Sequence, residues 1–124
     1  MTTGYWCVLA AALLPYVFTL LAKAGGHRYN NHAPREFLEK QAGYRKRAHW
    51  TQLNSFEAFP AFAASVIIAH LAGTAQGTID TLAIAFIIIR ILYGVLYLAD
   101  LAALRSLTWM AGLGVVIALF ISAA

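Results

Sequence analysis

Residues 79–99 read IDTLAIAFIIIRILYGVLYLA, 21 positions in which Arg90 is the only charge beyond Asp80 near the start. About 20 predominantly apolar residues, rising ~1.5 Å each, cross a hydrocarbon core of ~30 Å. Backbone polar groups inside lipid must be satisfied within the segment, so such a run is a helix. The same signature recurs on both sides. Tyr5–Ala22 is 18 residues without a charge, and Ser106–Ala124 has none either. Leu53–Ala72 is apolar apart from an interruption at Asn54, Ser55 and Glu57. Taken as one helix, residues 79–124 would be ~69 Å long, too long for one bilayer. A break is therefore expected at Asp100–Arg105, where charges stand in for the missing Gly or Pro.

Composition agrees. Of the 124 residues, 61% are hydrophobic and only 11% charged, and the mean hydropathy is +0.70. A soluble domain carries about 25% charged residues, so a water-facing surface and disorder are both excluded. A single cysteine, Cys7, excludes a disulfide framework. The expectation is an all-α, integral membrane four-helix bundle of up-down topology in one domain, 1–124. Its helices are predicted at about 5–23, 45–72, 78–101 and 105–123, with a loop at 24–44. The first segment reads as a retained helix, because Met1–Gly4 has none of the positive charge of a signal peptide. Pro15 is expected to kink it, Gly25-Gly26 to stop it, and Pro34 to start a short surface helix. Gly73–Gly77 is expected to be a tight turn, with Asp80 in the first turn of the following helix.

Seven of the nine basic residues lie between Lys23 and Arg47, opposed there only by Glu36 and Glu39. A basic cluster between two apolar segments follows the positive-inside rule. It predicts this loop and residues 100–105 in the cytoplasm, with both termini on the non-cytoplasmic side. It also accounts for the basic pI without nucleic acid, which would require a polar folded domain around the cluster.

Ionisable groups within hydrocarbon are expensive and persist when paired or functional. Asn54 and Glu57 are i and i+3 on the second long helix, with Arg47 two turns earlier and Gln52 nearby. Arg90, Tyr93 and Tyr97 form a stripe on the third, and Arg105 precedes Ser106 and Thr108 on the fourth. Glu57 is the expected counter-ion of Arg90. Taken singly, these residues have structural readings: a buried Glu57–Arg90 pair, a snorkelling Arg105, interfacial Tyr93 and Tyr97. Their convergence at one end of the molecule suits a small zwitterionic or anionic ligand. His49, Trp50 and His70 read as interfacial anchors. The spacing of His27, His32 and His49 is not that of a metal site.

At these residues the chain resembles the MAPEG family, membrane-associated proteins in eicosanoid and glutathione metabolism. The resemblance lies in Arg47 with Gln52-Leu53-Asn54-Ser55-Phe56-Glu57 and Pro60, in Arg90 with Tyr93 and Tyr97, and in Arg105-Ser106-Leu107-Thr108-Trp109. It implies a homotrimer, in the manner of bacterial inner-membrane members, with glutathione as co-substrate between neighbouring subunits. Arg47, Gln52, Asn54, Glu57, Arg90, Tyr93 and Tyr97 would bind it, with Glu57 on the γ-glutamyl amine. Arg105 would activate the thiol and Ser106 would add a hydrogen bond. Lys23 is a candidate contact from the first helix. One position departs from the family: Trp50 stands where enzymatic members carry a second arginine. The implied activity is a glutathione transferase or peroxidase acting on lipophilic electrophiles. The alternative is a non-catalytic membrane protein that binds a lipid or a partner. A four-helix multidrug transporter ranks last, because those proteins carry their essential glutamate in the first helix and this one has no charge there.

Overall fold

A computed structural model describes residues 1–25 and 28–124. The described chain is helical: α1 (Thr3–Lys23), α2 (Pro34–Glu39), α3 (Gly43–Leu71), α4 (Gln76–Leu98) and α5 (Ala102–Ser122). Helix α2 is the short one that Pro34 starts, with Pro34 in its first turn. Gly26 and His27, half of the expected helix stop and one of the histidines weighed as a metal ligand, lie outside the described residues. Gly25 takes the left-handed conformation after α1, with φ of 73°.

Three helices, α1, α4 and α5, are long and apolar enough to cross a membrane. Helix α3 is the exception, because its first half carries Arg45, Lys46, Arg47, Gln52, Asn54 and Glu57. It packs along α1 and also touches α4 and α5, while α4 packs on α5 and α1. The main core joins all four long helices through Ala11, Phe62, Val66, Ile79, Phe86 and Leu119, with Phe62 and Phe86 stacked at 3.9 Å between ring centres. A satellite cluster of Ala22, Phe37, Leu38 and Ala48 seats α2 against the ends of α1 and α3.

Each end of the molecule is tied by a side chain that reaches a distant helix terminus. At one end Arg47 Nε donates to the Leu98 carbonyl, 3.1 Å away in the last turn of α4. Arg45 Nε donates to the Ala24 carbonyl beyond α1 at 2.7 Å. These cations sit where helix carbonyls lack partners and the dipole is negative. At the other end Asp80 Oδ1 accepts from the Gly4 amide at 2.8 Å and from Gln76 Nε2 at 2.7 Å. Asp80 is thus not in the first turn of its own helix, which begins at Gln76. It serves the N-terminus of α1, where an orphan N–H and the positive dipole end favour a carboxylate.

The break between α4 and α5 falls at Ala99–Leu101, so Arg105 already lies within α5. Asp100 makes the turn with φ of 61°. Asp is one of the few L-residues that enter the left-handed region readily, because its short polar side chain can hydrogen-bond locally. Neither Gly nor Pro is needed there.

Phe18 of α1 packs directly on Gly94 of α4, where an added Cβ would overlap the buried Phe18 ring. Gly94→Ala is expected to lower stability by about 1–3 kcal/mol through overpacking. Phe18→Leu in the same chain should recover part of the loss. Thermal unfolding in detergent measures both, and an unchanged midpoint for Gly94→Ala would contradict this packing.

Candidate functional site

Successive turns of α3 place Trp50, Asn54 and Glu57 on one face (i, i+4, i+7), and α4 places Tyr93 and Tyr97 opposite them. Together with Leu53 these residues line an open cleft between the two helices. A second cleft, between α4 and α5, is lined by Tyr93, Tyr97, Arg105, Ser106 and Trp109. The two tyrosines are common to both, their rings edge to face at 5.7 Å. The polar residues therefore line two adjoining clefts that share Tyr93 and Tyr97, with Glu57 in one and Arg105 in the other.

Arg90 lines neither of these two clefts. It is 4% exposed, and its Nη2 donates to Asn54 Oδ1 at 2.8 Å and to Ser55 Oγ at 3.4 Å. Its guanidinium also lies 4.2 Å from the centre of the Tyr93 ring. The expected Glu57–Arg90 ion pair is absent. Among the described residues the only salt bridge is Lys40–Glu36, on α2 and its cap. There the hydrogen bond from Lys40 holds the Glu36 carboxyl below the usual carboxylate range. The physical reason for the missing pair is placement: Asn54 and Ser55 reach the guanidinium first, and Glu57, one turn on, remains exposed.

This arrangement fixes the amide of Asn54. With Oδ1 facing Arg90, Nδ2 is left to donate, and its one partner is Glu57 Oε2 at 3.5 Å. Arg105 is half-buried, its guanidinium 4.3 Å from the centre of the Tyr97 ring. Among the described residues it has neither an ion pair nor a side-chain acceptor. Ser106 beside it is exposed. A cation fixed over an aromatic face with its donors unspent can stabilise a developing anion.

Besides Arg90, two expected ligand residues line neither cleft. Arg47 has its Nε committed to Leu98. Gln52 is half-buried, and its Oε1, like His49 Nδ1, is buried without a hydrogen-bond partner. Lys23 lies over the Tyr29 ring at 4.5 Å. Conversely, Trp50 and Trp109 line the clefts although sequence reasoning assigned them no ligand role. The signal was available in their spacing, Trp50 four residues before Asn54 and Trp109 four after Arg105.

The MAPEG family model matches residues 3–124, nearly the whole chain. The chain belongs to the MAPEG family. Membership together with three membrane-length apolar helices makes it an integral membrane protein of the glutathione and eicosanoid metabolism family. No curated protein and no solved structure matches it. In this MAPEG chain the aromatic Trp50, tilted against Tyr97 at 6.4 Å, closes the side of the cleft nearest the basic loop.

The Arg90–Asn54 bond should be energetically visible. Asn54→Ala is expected to cost about 1.5–3 kcal/mol, the value of a hydrogen bond to a charged group. Combined with Arg90→Met it should cost less than the sum of the two, with a coupling of about 1–3 kcal/mol. Unfolding of the four forms in detergent measures this, and strict additivity would sink the assignment.

Proposed function

We propose that this protein is a membrane-embedded glutathione-dependent transferase or peroxidase acting on lipophilic electrophiles, with the thiolate stabilised by Arg105. The observation that carries the reading is the guanidinium of Arg105, without an acceptor among the described residues and held over Tyr97, in a cleft that shares Tyr93 and Tyr97 with the one lined by exposed Glu57. The residues fit glutathione. Glu57 offers a free carboxylate to the γ-glutamyl amine, Asn54 Nδ2 donates to an acceptor, and Tyr93 and Tyr97 flank the backbone of the tripeptide. A free thiol has a pKa near 8.5, and an adjacent guanidinium lowers it by favouring the thiolate. The thiol proton passes to solvent. The sulfur then bonds to the electrophilic carbon while the leaving group departs with its electron pair. With a hydroperoxide the thiolate attacks the terminal oxygen and releases the alcohol. A second glutathione then yields the disulfide and water.

The same reading takes the long helices as a four-helix membrane bundle assembled as a homotrimer, with its basic loop cytoplasmic and both termini opposite. Support comes from α3, the least apolar of the four. Its residues Leu53, Phe56, Pro60, Ala64, Ile67 and Leu71 form an exposed stripe with Glu57 at the edge. Lipid solvates a carboxylate poorly, and a second copy would cover that stripe. A second copy could also supply the donor that buried Gln52 Oε1 lacks. Trp50 favours the other reading, a non-catalytic protein that binds a lipid or a partner, because it removes a cationic contact.

The two readings separate in purified protein. The enzyme should bind glutathione and conjugate it to 1-chloro-2,4-dinitrobenzene. Arg105→Ala should lower kcat/KM about 100-fold or more, the usual loss on removing one charge-stabilising donor, and abolish the ultraviolet thiolate absorbance of bound glutathione while the oligomer stays intact. A wild type that neither binds nor consumes glutathione supports the non-catalytic reading.

A further inference from the structure

We infer that Arg47 is a positioning residue: its bond to the last turn of α4 holds the Tyr97 ring under the Arg105 guanidinium, and it does not touch the ligand. The thiolate role of Arg105 rests on the reading proposed above. The tie from Arg47 to Arg105 rests on geometry alone.

The tie runs through the backbone of a closed turn. Beyond α4 the Ala99 amide donates to the Val95 carbonyl, the Asp100 amide to Tyr97 and the Leu101 amide to Leu96. With Asp100 in the left-handed conformation, this is the pattern in which a helix end consumes its own late carbonyls. It leaves the Leu98 carbonyl over, and Arg47 Nε fills it at 3.1 Å. Helix α5 starts at once, the Arg105 amide donating to the Leu101 carbonyl at 2.9 Å. Only Ala99, Asp100 and Leu101 separate the two helices, and each has its amide bonded. The end of α4 and the first turn of α5 therefore move together, with the Arg105 guanidinium 4.3 Å from the centre of the Tyr97 ring. Arg47 fixes that unit to α3, which carries Asn54 and Glu57.

The direction of the Arg47 side chain separates it from the ligand. On α3 it shares a face with buried Thr51 and Ser55, and Ser55 accepts from Arg90 of α4. Trp50 and Glu57 lie on the cleft face. The Nη groups of Arg47 have no partner among the described residues, yet Arg47 lines neither the Glu57 cleft nor the Arg105 cleft.

Two substitutions separate a tie from a ligand contact. Arg47→Gln puts an amide nitrogen as many bonds from the backbone as Arg47 Nε, so the donor to Leu98 stays and the charge goes. Arg47→Met keeps the length and loses both. The full chain, carrying 3-fluorotyrosine, is placed in phosphatidylcholine nanodiscs, and the Tyr97 fluorine resonance is assigned with Tyr97→Phe. Arg105→Met gives the resonance of the ring without its cation. Arg47→Met should move the Tyr97 resonance toward that position, and Arg47→Gln should leave it in place. With glutathione, Arg47→Met should lower kcat/KM for 1-chloro-2,4-dinitrobenzene about tenfold or more, as a displaced group does. It should also raise the pH at which half of the bound glutathione is thiolate. Affinity for S-methylglutathione, which has no thiol, should stay unchanged, and Arg47→Gln should match wild type throughout. Should Arg47→Met not fold, Arg47→Gln decides alone, because a ligand contact would lose its charge there. A Tyr97 resonance unmoved in Arg47→Met, or S-methylglutathione affinity reduced about tenfold or more in Arg47→Gln, as on breaking a charge pair, would each overturn the inference. A wild type that binds no glutathione removes the thiolate role of Arg105, and the fluorine result then decides the tie by itself.

Discussion

A guanidinium buried among membrane helices must be answered by other groups, and in this protein the answer to Arg90 organises everything near it. The ionised group loses several kcal/mol of hydration on burial, so the neighbouring helix has to supply acceptors. Asn54 and Ser55 do so from α3, and the Tyr93 ring covers the cation one turn along α4. Three consequences follow from one contact. The register of α3 against α4 is set, the Asn54 amide is oriented with its nitrogen outward, and Glu57 is released from ion pairing to face the clefts.

The ends of the molecule follow a second rule, in which helix termini are completed by side chains far away in sequence. Arg47 reaches the last turn of α4 and Asp80 reaches the first turn of α1, across 51 and 76 positions. Each brings a charge to the helix end of opposite dipole. The pairing at Leu98 matters for the site. It anchors the C-terminus of α4 just before Asp100 turns the chain and α5 presents Arg105 to Tyr97.

Much of this could be read in advance. The apolar runs locate the long helices to within a few residues, because length and hydropathy are local properties and the bilayer imposes a common span. The turn at 99–101 was legible as a charged interruption, though not that the Asp100 backbone itself makes it. The site was legible as helical spacing: Asn54 with Glu57, Tyr93 with Tyr97, and Arg105 with Ser106 all share clefts. Partners across helices were not legible. The expected Glu57–Arg90 pair yields to Asn54, Asp80 belongs to α1 and not to its own helix, and Arg47 is spent on a backbone carbonyl. Opposite charge alone predicts attraction and does not say which acceptor lies within reach.

The sequence by itself determined that this is a helical membrane protein with its charge gathered in one loop and a few intramembrane positions. Those facts depend on composition and on periodicity along one chain. The tertiary structure decided which of the intramembrane polar groups are spent and which are free. Among the described residues Arg90 has side-chain acceptors and Arg105 has none, although both are arginines near Tyr residues in apolar helices. The difference is geometric. A hydrogen bond requires a partner within about 3 Å, and only the packing of α3 on α4 brings one to Arg90 and none to Arg105.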